Sequence, residues 1–223
     1  MLNDLSIIRT EQSFNEIVKQ KFFSKVSVNN RKKQNKYMKK KLRQNDFTII
    51  ASFCGGGTLY HDIGMRFLSP TINMAFDGKD FCTFCENLRD NVLQEITEYK
   101  TDKVTYPVGR IGDDIEIRFV HYKTFQEAKE KWEERAKRIN YEKIFIMATD
   151  RDGMSSEECI RRFDNLPYKK IMFTAKKLPY DWAVYCPCFK HRQSVGVMTG
   201  IADIAGHRFY EKYVDILEIL NSL

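Results

Sequence analysis

The sequence predicts an α/β fold of three layers (α/β/α), in which helices cover both faces of a mainly parallel sheet. From residue 46 onward, apolar runs of strand length alternate with segments whose apolar residues recur at helical spacing, which is typical of parallel sheets. The charge is uneven, because residues 1–45 hold 12 basic and 3 acidic side chains whereas the other 178 residues hold 25 and 27. We therefore divide the chain into a basic helical N-terminal extension, residues 1–45, and a single α/β domain, residues 46–223.

The composition is that of a globular protein. Of its 223 residues, 43% are hydrophobic and 30% charged. The apolar runs are far shorter than the roughly 18 residues that span a bilayer. The start "MLNDLSIIRTEQ" does not resemble a secretory signal. Six cysteines without disulfide-like spacing indicate reduced thiols, so we expect a cytoplasmic protein.

The extension should begin with an amphipathic helix from Ser13 to Val28, since five apolar residues share one face: Phe14, Ile17, Val18, Phe22 and Val26. The segment Arg31–Arg43 follows, with eight basic residues and no acidic one, as either a solvated helix or a flexible linker. It could bind the anionic lipids at the inner face of the membrane. Only Tyr37 interleaves its lysines, which does not favour nucleic acid.

Seven strands are expected in the domain, near residues 47–53, 71–76, 104–108, 115–121, 143–149, 170–174 and 182–186. The third and fourth are joined through "GRIGDD" and should form a hairpin. The strands 47–53 and 143–149 carry continuous apolar runs. We therefore expect both to be interior parallel strands whose carboxyl ends share one edge of the sheet.

Helices are expected between several of these strands. Capping boxes predict helix starts at Thr124, with Glu127 three residues on, and at Ser155, with Glu158. A helix after Asp77-Gly78 should bury one stripe of apolar residues: Phe81, Phe84, Leu88 and Val92. A last helix should bring together Phe209, Tyr213, Ile216 and Leu220.

The stretch "CGGGTLYHDIGMRF" is a candidate phosphate-binding loop, because the glycines follow a strand and precede a helix. Thr58 is its expected N-cap, and Gly55, Gly56, Gly57 and Thr58 would receive the phosphate. No Gly-Lys-Ser/Thr follows, as a Walker A loop requires, and Tyr60 replaces the third glycine of the dinucleotide fingerprint. The alternative is that the glycines only permit a sharp turn.

The stretch "DRDG" is a second candidate, at the carboxyl end of the strand 143–149. Asp150 and Asp152 could share a divalent metal, Mg²⁺ or Mn²⁺, while Arg151 could hold phosphate. The alternative is a turn built on Asp-Gly. His121, at the end of another strand, could act as an acid or base, or could simply be hydrogen-bonded.

The cysteine pairs Cys82/Cys85 and Cys186/Cys188 could assemble a zinc site, but small buried side chains explain them better. No nucleophile elbow, P-loop or kinase motif is present.

The blocks "CGGGTLYHDIGMRFLSPTINM", "YPVG", "RFVHYKTFQEAKEKWEERAKRIN", "DRDG" and "LPYKKIMFT" resemble, in this order, a bacterial domain-of-unknown-function family, number nineteen-nineteen. Its members are often labelled exopolysaccharide biosynthesis proteins. The resemblance covers residues 45–221 and implies a three-layer α/β/α fold. It carries over no catalytic residue, and this chain has Ala51-Ser52-Phe53-Cys54 where the family usually has Ser-Asn-Asn-Cys.

The resemblance implies a role in surface-polysaccharide synthesis. With the two candidate loops, it predicts an enzyme that acts on a phosphorylated or nucleotide-linked sugar, of glycosyl- or phosphoglycosyl-transferase type. Asp150, Asp152 and His121 are its candidate catalytic residues. Two alternatives from other classes stay open. One is a non-catalytic binding module of a carbohydrate pathway, and the other is a nucleic-acid-binding protein that uses the basic extension.

Overall fold

A computed structural model describes residues 14–223, with side chains described from residue 23 onward. The helix predicted from Ser13 is present from Phe14. Ser13 itself, and the side chains of Phe14, Ile17, Val18 and Phe22 on which the predicted amphipathic face depends, lie outside this description.

The elements follow one another along the chain with short connections. The helices are α1 Phe14–Lys41, α2 Gly55–Ile63, α3 Gly78–Glu86, α4 Leu88–Leu93, α5 Phe125–Ala136, α6 Glu157–Asp164 and α7 Ile216–Asn221. The strands are β1 Thr48–Ala51, β2 Ile96–Glu98, β3 Val108–Ile111, β4 Ile115–Arg118, β5 Ile144–Thr149, β6 Lys169–Thr174 and β7 Ala183–Tyr185. Two short 3₁₀ turns cover Pro187–Phe189 and Tyr210–Lys212.

The main sheet has four parallel strands in the order β1-β5-β6-β7. Side chains along β5 alternate between two apolar cores, with Ile146 facing one and Phe145 the other. Helices α3 to α6 bury residues in the first core, and α1, α2 and α7 in the second. The predicted three-layer α/β class is therefore confirmed.

A second sheet of three antiparallel strands, in the order β2-β3-β4, flanks the first core. Strands β3 and β4 form the predicted hairpin, although β3 begins at Val108 and not at residue 104. β2 was not expected from the sequence. The chain 71–76 is not a strand, because Ala75 makes only an isolated bridge to Arg118.

The parallel pairing of β1 with β5 is confirmed, and their carboxyl ends lie at the same edge. β5 is interior as expected, but β1 is an edge strand of the sheet. Its outer backbone groups are covered by side chains. The Ile49 amide donates to the Tyr60 hydroxyl at 2.9 Å, and the Ala51 amide donates to Thr71 Oγ1 at 3.1 Å.

Two predicted helices differ from the observed elements. The stripe from Phe81 to Val92 is divided between α3 and α4, which break at Asn87. The last predicted helix is a 3₁₀ turn followed by α7.

The two predicted capping boxes have different outcomes. Thr124 caps α5 as predicted, since its side chain accepts from the Glu127 amide. The cap of α6 is Ser156 and not Ser155, because the Ser156 side chain accepts from the Cys159 amide.

The basic segment Arg31–Arg43 is helical as far as Lys41, and two of its side chains are buried on the domain. Met38 joins the second core. Arg31 forms ion pairs with Glu211 and, at 3.7 Å, with Asp62. Asp62 also binds Arg208 through two hydrogen bonds. We call these four residues the buried ionic network, and it fastens α1 to α2 and to the C-terminal region.

None of the helices in residues 14–223 combines the length and the apolar character that crossing a membrane demands.

Candidate functional site

The carboxyl edge of the parallel sheet gathers most of the residues that the sequence singled out. β1 leads through Ser52 and Phe53 into the start of α2, and β5 leads directly into Asp150, Arg151 and Asp152. Ligands of open parallel sheets bind at this edge. The candidate site therefore extends from the start of α2 across β5 to β6.

The start of α2 has free backbone donors. Cys54 is the N-cap, without a side-chain cap, and the first amide to donate within the helix is that of Thr58, to the Cys54 carbonyl at 3.1 Å. Within the described residues, the amides of Gly55, Gly56 and Gly57 have no acceptor. Thr58 is not the predicted N-cap, since its hydroxyl donates backward to the same Cys54 carbonyl.

The glycines also permit close packing of α2 on the sheet. A β-carbon on Gly56 would lie 3.0 Å from the Ala51 side chain, and one on Gly57 would lie 3.1 Å from Ile72. The Phe53 ring covers Gly55. These contacts support the alternative that the glycines only permit a sharp turn. The amides of Gly55, Gly56 and Gly57 nevertheless have no acceptor among the described residues.

A cysteine thiol and a histidine imidazole lie in contact at the start of α2. Cys54 Sγ lies 3.2 Å from Nε2 of His121, whose ring comes from the segment after β4. Burial raises the pKa of the Cys54 thiol above its usual value, and the positive charge of Arg151 partly opposes this. Cys54 is not among the site residues predicted from the sequence. The sequence pattern that could have predicted it is a cysteine between a strand and a glycine-rich helix start. A helix N-terminus lowers the pKa of a cysteine thiol in many enzymes.

Arg151 is an exposed guanidinium with no ion-pair partner among the described side chains. Its neighbour Arg118 differs, since it pairs with Asp77 at 2.8 Å and lies 3.9 Å from Asp152. Arg151 therefore keeps its hydrogen-bond donors available for an anion.

Asp150 and Asp152 have different surroundings. Each Asp150 oxygen accepts a backbone amide, from Ala175 at 2.7 Å and from Val195 at 2.8 Å. Burial raises the pKa of Asp150, and these amides partly oppose the shift. Asp152 is exposed, with a φ of +53°.

The metal shared by Asp150 and Asp152 stays a prediction. Each Asp150 oxygen already accepts one backbone amide, and no group of three or more metal-binding side chains occurs among residues 23–223, whose side chains the structure describes. We therefore assign no step to a metal.

A pocket of about 480 Å³ opens between the ends of β5 and β6, and we call it the β5–β6 pocket. Its apolar wall consists of Ile160, Met172 and Leu178. Its polar lining consists of Asp150, Ser155, Thr174, Lys176 and Gln193. Of these residues only Asp150 was predicted from the sequence, because the others are brought together by the fold.

The cysteine pairs do not meet. Cys82 and Cys85 lie in the first core, whereas Cys186 lies in the second, on the opposite face of the sheet. Burial raises the pKa of the Cys82 thiol to about 12. The zinc alternative is therefore wrong. Cys82, Cys85 and Cys186 are small buried side chains, as expected, whereas Cys188 is exposed.

Comparison with known proteins gives a family. Residues 25–221 match the family described as Domain of unknown function (DUF1919). A protein of Haemophilus influenzae (strain ATCC 51907 / DSM 11121 / KW20 / Rd), described as an uncharacterized protein, is 35% identical over 196 residues, which are 87% of this chain and 94% of that protein. The chain belongs to the DUF1919 family.

Proposed function

We propose that the protein is an enzyme that acts on a phosphorylated or nucleotide-linked sugar in surface-polysaccharide synthesis, as a glycosyl- or phosphoglycosyl-type transferase. The proposal rests on one observation. Arg151, a guanidinium without an ion-pair partner among the described side chains, follows β5 at the sheet edge where Cys54 caps α2, and the three amides after Cys54 have no acceptor among the described residues. A helix N-terminus and an arginine both bind phosphate well, the first through free amides and the second through paired N–H donors.

The phosphoryl group would lie at the start of α2. There the amides of Gly55 to Gly57 would donate to its oxygens, and Arg151 would neutralise its charge. His121, exposed at the same place, would move the proton of the leaving or attacking hydroxyl.

A thermal-shift and calorimetric screen tests the proposal. The probes are sugar 1-phosphates and nucleotide sugars, each with and without Mg²⁺ or Mn²⁺. We expect stabilisation of the wild type that Arg151→Gln reduces and Arg161→Gln, an exposed arginine on α6, preserves. No stabilisation by any probe, or equal stabilisation of the two variants, would overturn the proposal. Binding without turnover would favour the non-catalytic module, and binding of oligonucleotides alone would favour the nucleic-acid alternative.

The Cys54–His121 contact favours a second candidate, a thiol-dependent esterase or acyltransferase. Cys54 sulfur would attack an ester carbonyl carbon while its proton passes to His121 Nε2. The C–O bond would then break, the alcohol would leave with that proton, and water or an acceptor hydroxyl would release the acyl group from sulfur.

Hydrolysis of p-nitrophenyl acetate tests this candidate. We expect a nitrophenol burst that Cys54→Ser abolishes and Cys188→Ser, at an exposed cysteine, retains. A burst that both variants keep would remove the candidate.

A further inference from the structure

The β5–β6 pocket is distinct from the start of α2, although both lie at the carboxyl edge of the sheet. The apolar wall of the pocket belongs to the first core, whereas α2 packs on the second, so the two places are separated by the end of β5. Asp150 follows β5 and lines the pocket, and its neighbour Arg151 belongs to the candidate site. The volume of about 480 Å³ is within the usual range for small-molecule sites. A ligand that reaches across the end of β5 would therefore contact both places.

Thr174 gives this pocket an unused hydrogen-bonding group. The residue is 1% exposed, and its hydroxyl has no partner among the described residues. A buried hydroxyl without a hydrogen-bond partner lowers the stability of the fold. Such groups in native proteins are therefore usually bonded to a ligand or a water. Thr149 ends the neighbouring strand and is buried to a similar degree, but it does not line the pocket.

The lining indicates the class of ligand. Ile160, Met172 and Leu178 form an apolar wall suited to the C–H face of a ring. The lining also has two hydroxyls, a carboxylate and an amide, which suit several hydroxyl groups. No aromatic side chain lines the pocket, which disfavours a stacked base. Lys176 is exposed at the mouth and suits an anionic substituent.

We propose that the β5–β6 pocket binds the glycosyl ring of a sugar phosphate, with the Thr174 hydroxyl bonded to one of its hydroxyl groups. This inference rests on the proposed function, since it identifies the part of the substrate that the start of α2 does not hold. The side chains at the ends of β5 and β6 would then determine which sugar the protein binds.

Two variants of the full chain test the pocket by isothermal titration calorimetry, with glucose 1-phosphate, galactose 1-phosphate, uridine and inorganic phosphate as probes. Thr174→Val keeps the side-chain shape and removes the hydroxyl. Its matched control is Thr149→Val. Leu178→Trp fills the pocket from a half-buried loop position, and its control is Leu68→Trp, a half-buried loop leucine packed on the other core.

We expect Thr174→Val to fold with an unchanged or higher melting temperature and to bind the preferred sugar phosphate about fivefold more weakly, the size of one neutral hydrogen bond. Leu178→Trp should abolish sugar-phosphate binding and leave phosphate binding intact. Both controls should bind as the wild type does.

Three results would overturn the assignment: equal affinity of Leu178→Trp and wild type, an unchanged affinity in Thr174→Val, or binding of uridine in place of the sugar phosphates. If Arg151→Gln alone weakens sugar-phosphate binding, the proposed function stands and the pocket assignment fails. If no probe binds the wild type, both fail.

Discussion

Cys54 Sγ lies 3.2 Å from His121 Nε2, so a thiol and an imidazole that are 67 residues apart in the chain meet at the start of α2. His121 is exposed and Cys54 is half-buried, so a reagent in solution can reach the pair. The contact joins the main sheet to the segment that follows the antiparallel sheet.

His121→Ala should slow alkylation of Cys54 by iodoacetamide about tenfold at pH 7.5, because the imidazole no longer accepts the thiol proton. Cys188, the exposed cysteine, is the internal reference and should react at an unchanged rate. Peptide mass spectrometry of a time course measures both. Equal Cys54 rates in the two proteins would mean that the 3.2 Å contact has no chemical effect.

The reactivity of Cys54 should also depend on pH in a defined direction. Burial raises its pKa above the usual value of 9.0, so the thiolate fraction should still be rising above pH 9. A Cys54 alkylation rate that levels off below pH 8 would show that His121 and Arg151 together outweigh the burial.

The sequence predicted the α/β class, the parallel β1–β5 pair and the hairpin, because continuous apolar runs and turn residues are local signals. It did not predict the site. Cys54 and His121 are brought together by the packing of two sheets. The Thr174 hydroxyl has no partner because no described residue places a hydrogen-bonding group within reach of it at the end of β6. The predicted strand 71–76 failed for a related reason, since Thr71 instead covers the edge of β1 with its side chain.

Asp150→Asn should destabilise the fold by about 1–3 kcal/mol, because an amide group cannot replace both oxygens that accept from Ala175 and Val195. This differs from the behaviour of a repelling metal-binding pair, whose neutralisation would leave stability unchanged or higher. Asp152→Asn is the control. Asparagine tolerates a φ of +53°, so we expect little change in the urea midpoint. Equal midpoints for the two variants would contradict the structural role of Asp150.

Asp62→Asn should destabilise the protein by about 3 kcal/mol, because it leaves Arg31 and Arg208 with less compensating charge in a buried site. Asp203→Asn, at a partly exposed pair with His207, should change stability much less. Urea unfolding at pH 7 compares the two. A larger loss in Asp203→Asn would show that the buried ionic network is not what fastens α1.

The same network predicts that the free energy of unfolding falls at acid pH. Burial favours a higher pKa for Asp62, but Arg208, Arg31 and Asn35 outweigh it and hold the pKa below 3.8. The resulting stabilisation is complete above about pH 3.8 and is lost as the pH falls through the lower folded-state value. Asp62→Asn should therefore have a shallower decline of stability below pH 4 than the wild type. Identical declines would contradict this.

Binding to anionic membranes remains a prediction, and the structure changes how it is tested. Removing residues before Asn45 would also remove Arg31 and Met38, which are buried on the domain. The better variant replaces four exposed lysines of α1 by glutamine: Lys32, Lys33, Lys36 and Lys40.

This variant should lose sedimentation with anionic vesicles at physiological salt, since each lysine near the surface contributes about 1 kcal/mol. A control variant changes four exposed lysines elsewhere, Lys100, Lys103, Lys123 and Lys137, and should bind as the wild type does. Equal sedimentation of the two variants, or binding insensitive to salt, would exclude α1 as the contact.

The side chains along the outer side of β1 have a consequence for how this protein meets other chains. An exposed edge strand invites an extended peptide, or a second copy, to add a strand by backbone pairing. Here the Tyr60 hydroxyl and Thr71 Oγ1 already accept the amides of Ile49 and Ala51, and Tyr60 in turn donates to the Phe47 carbonyl at 3.1 Å. Two side chains thus close this edge to β-augmentation and to amyloid-like stacking.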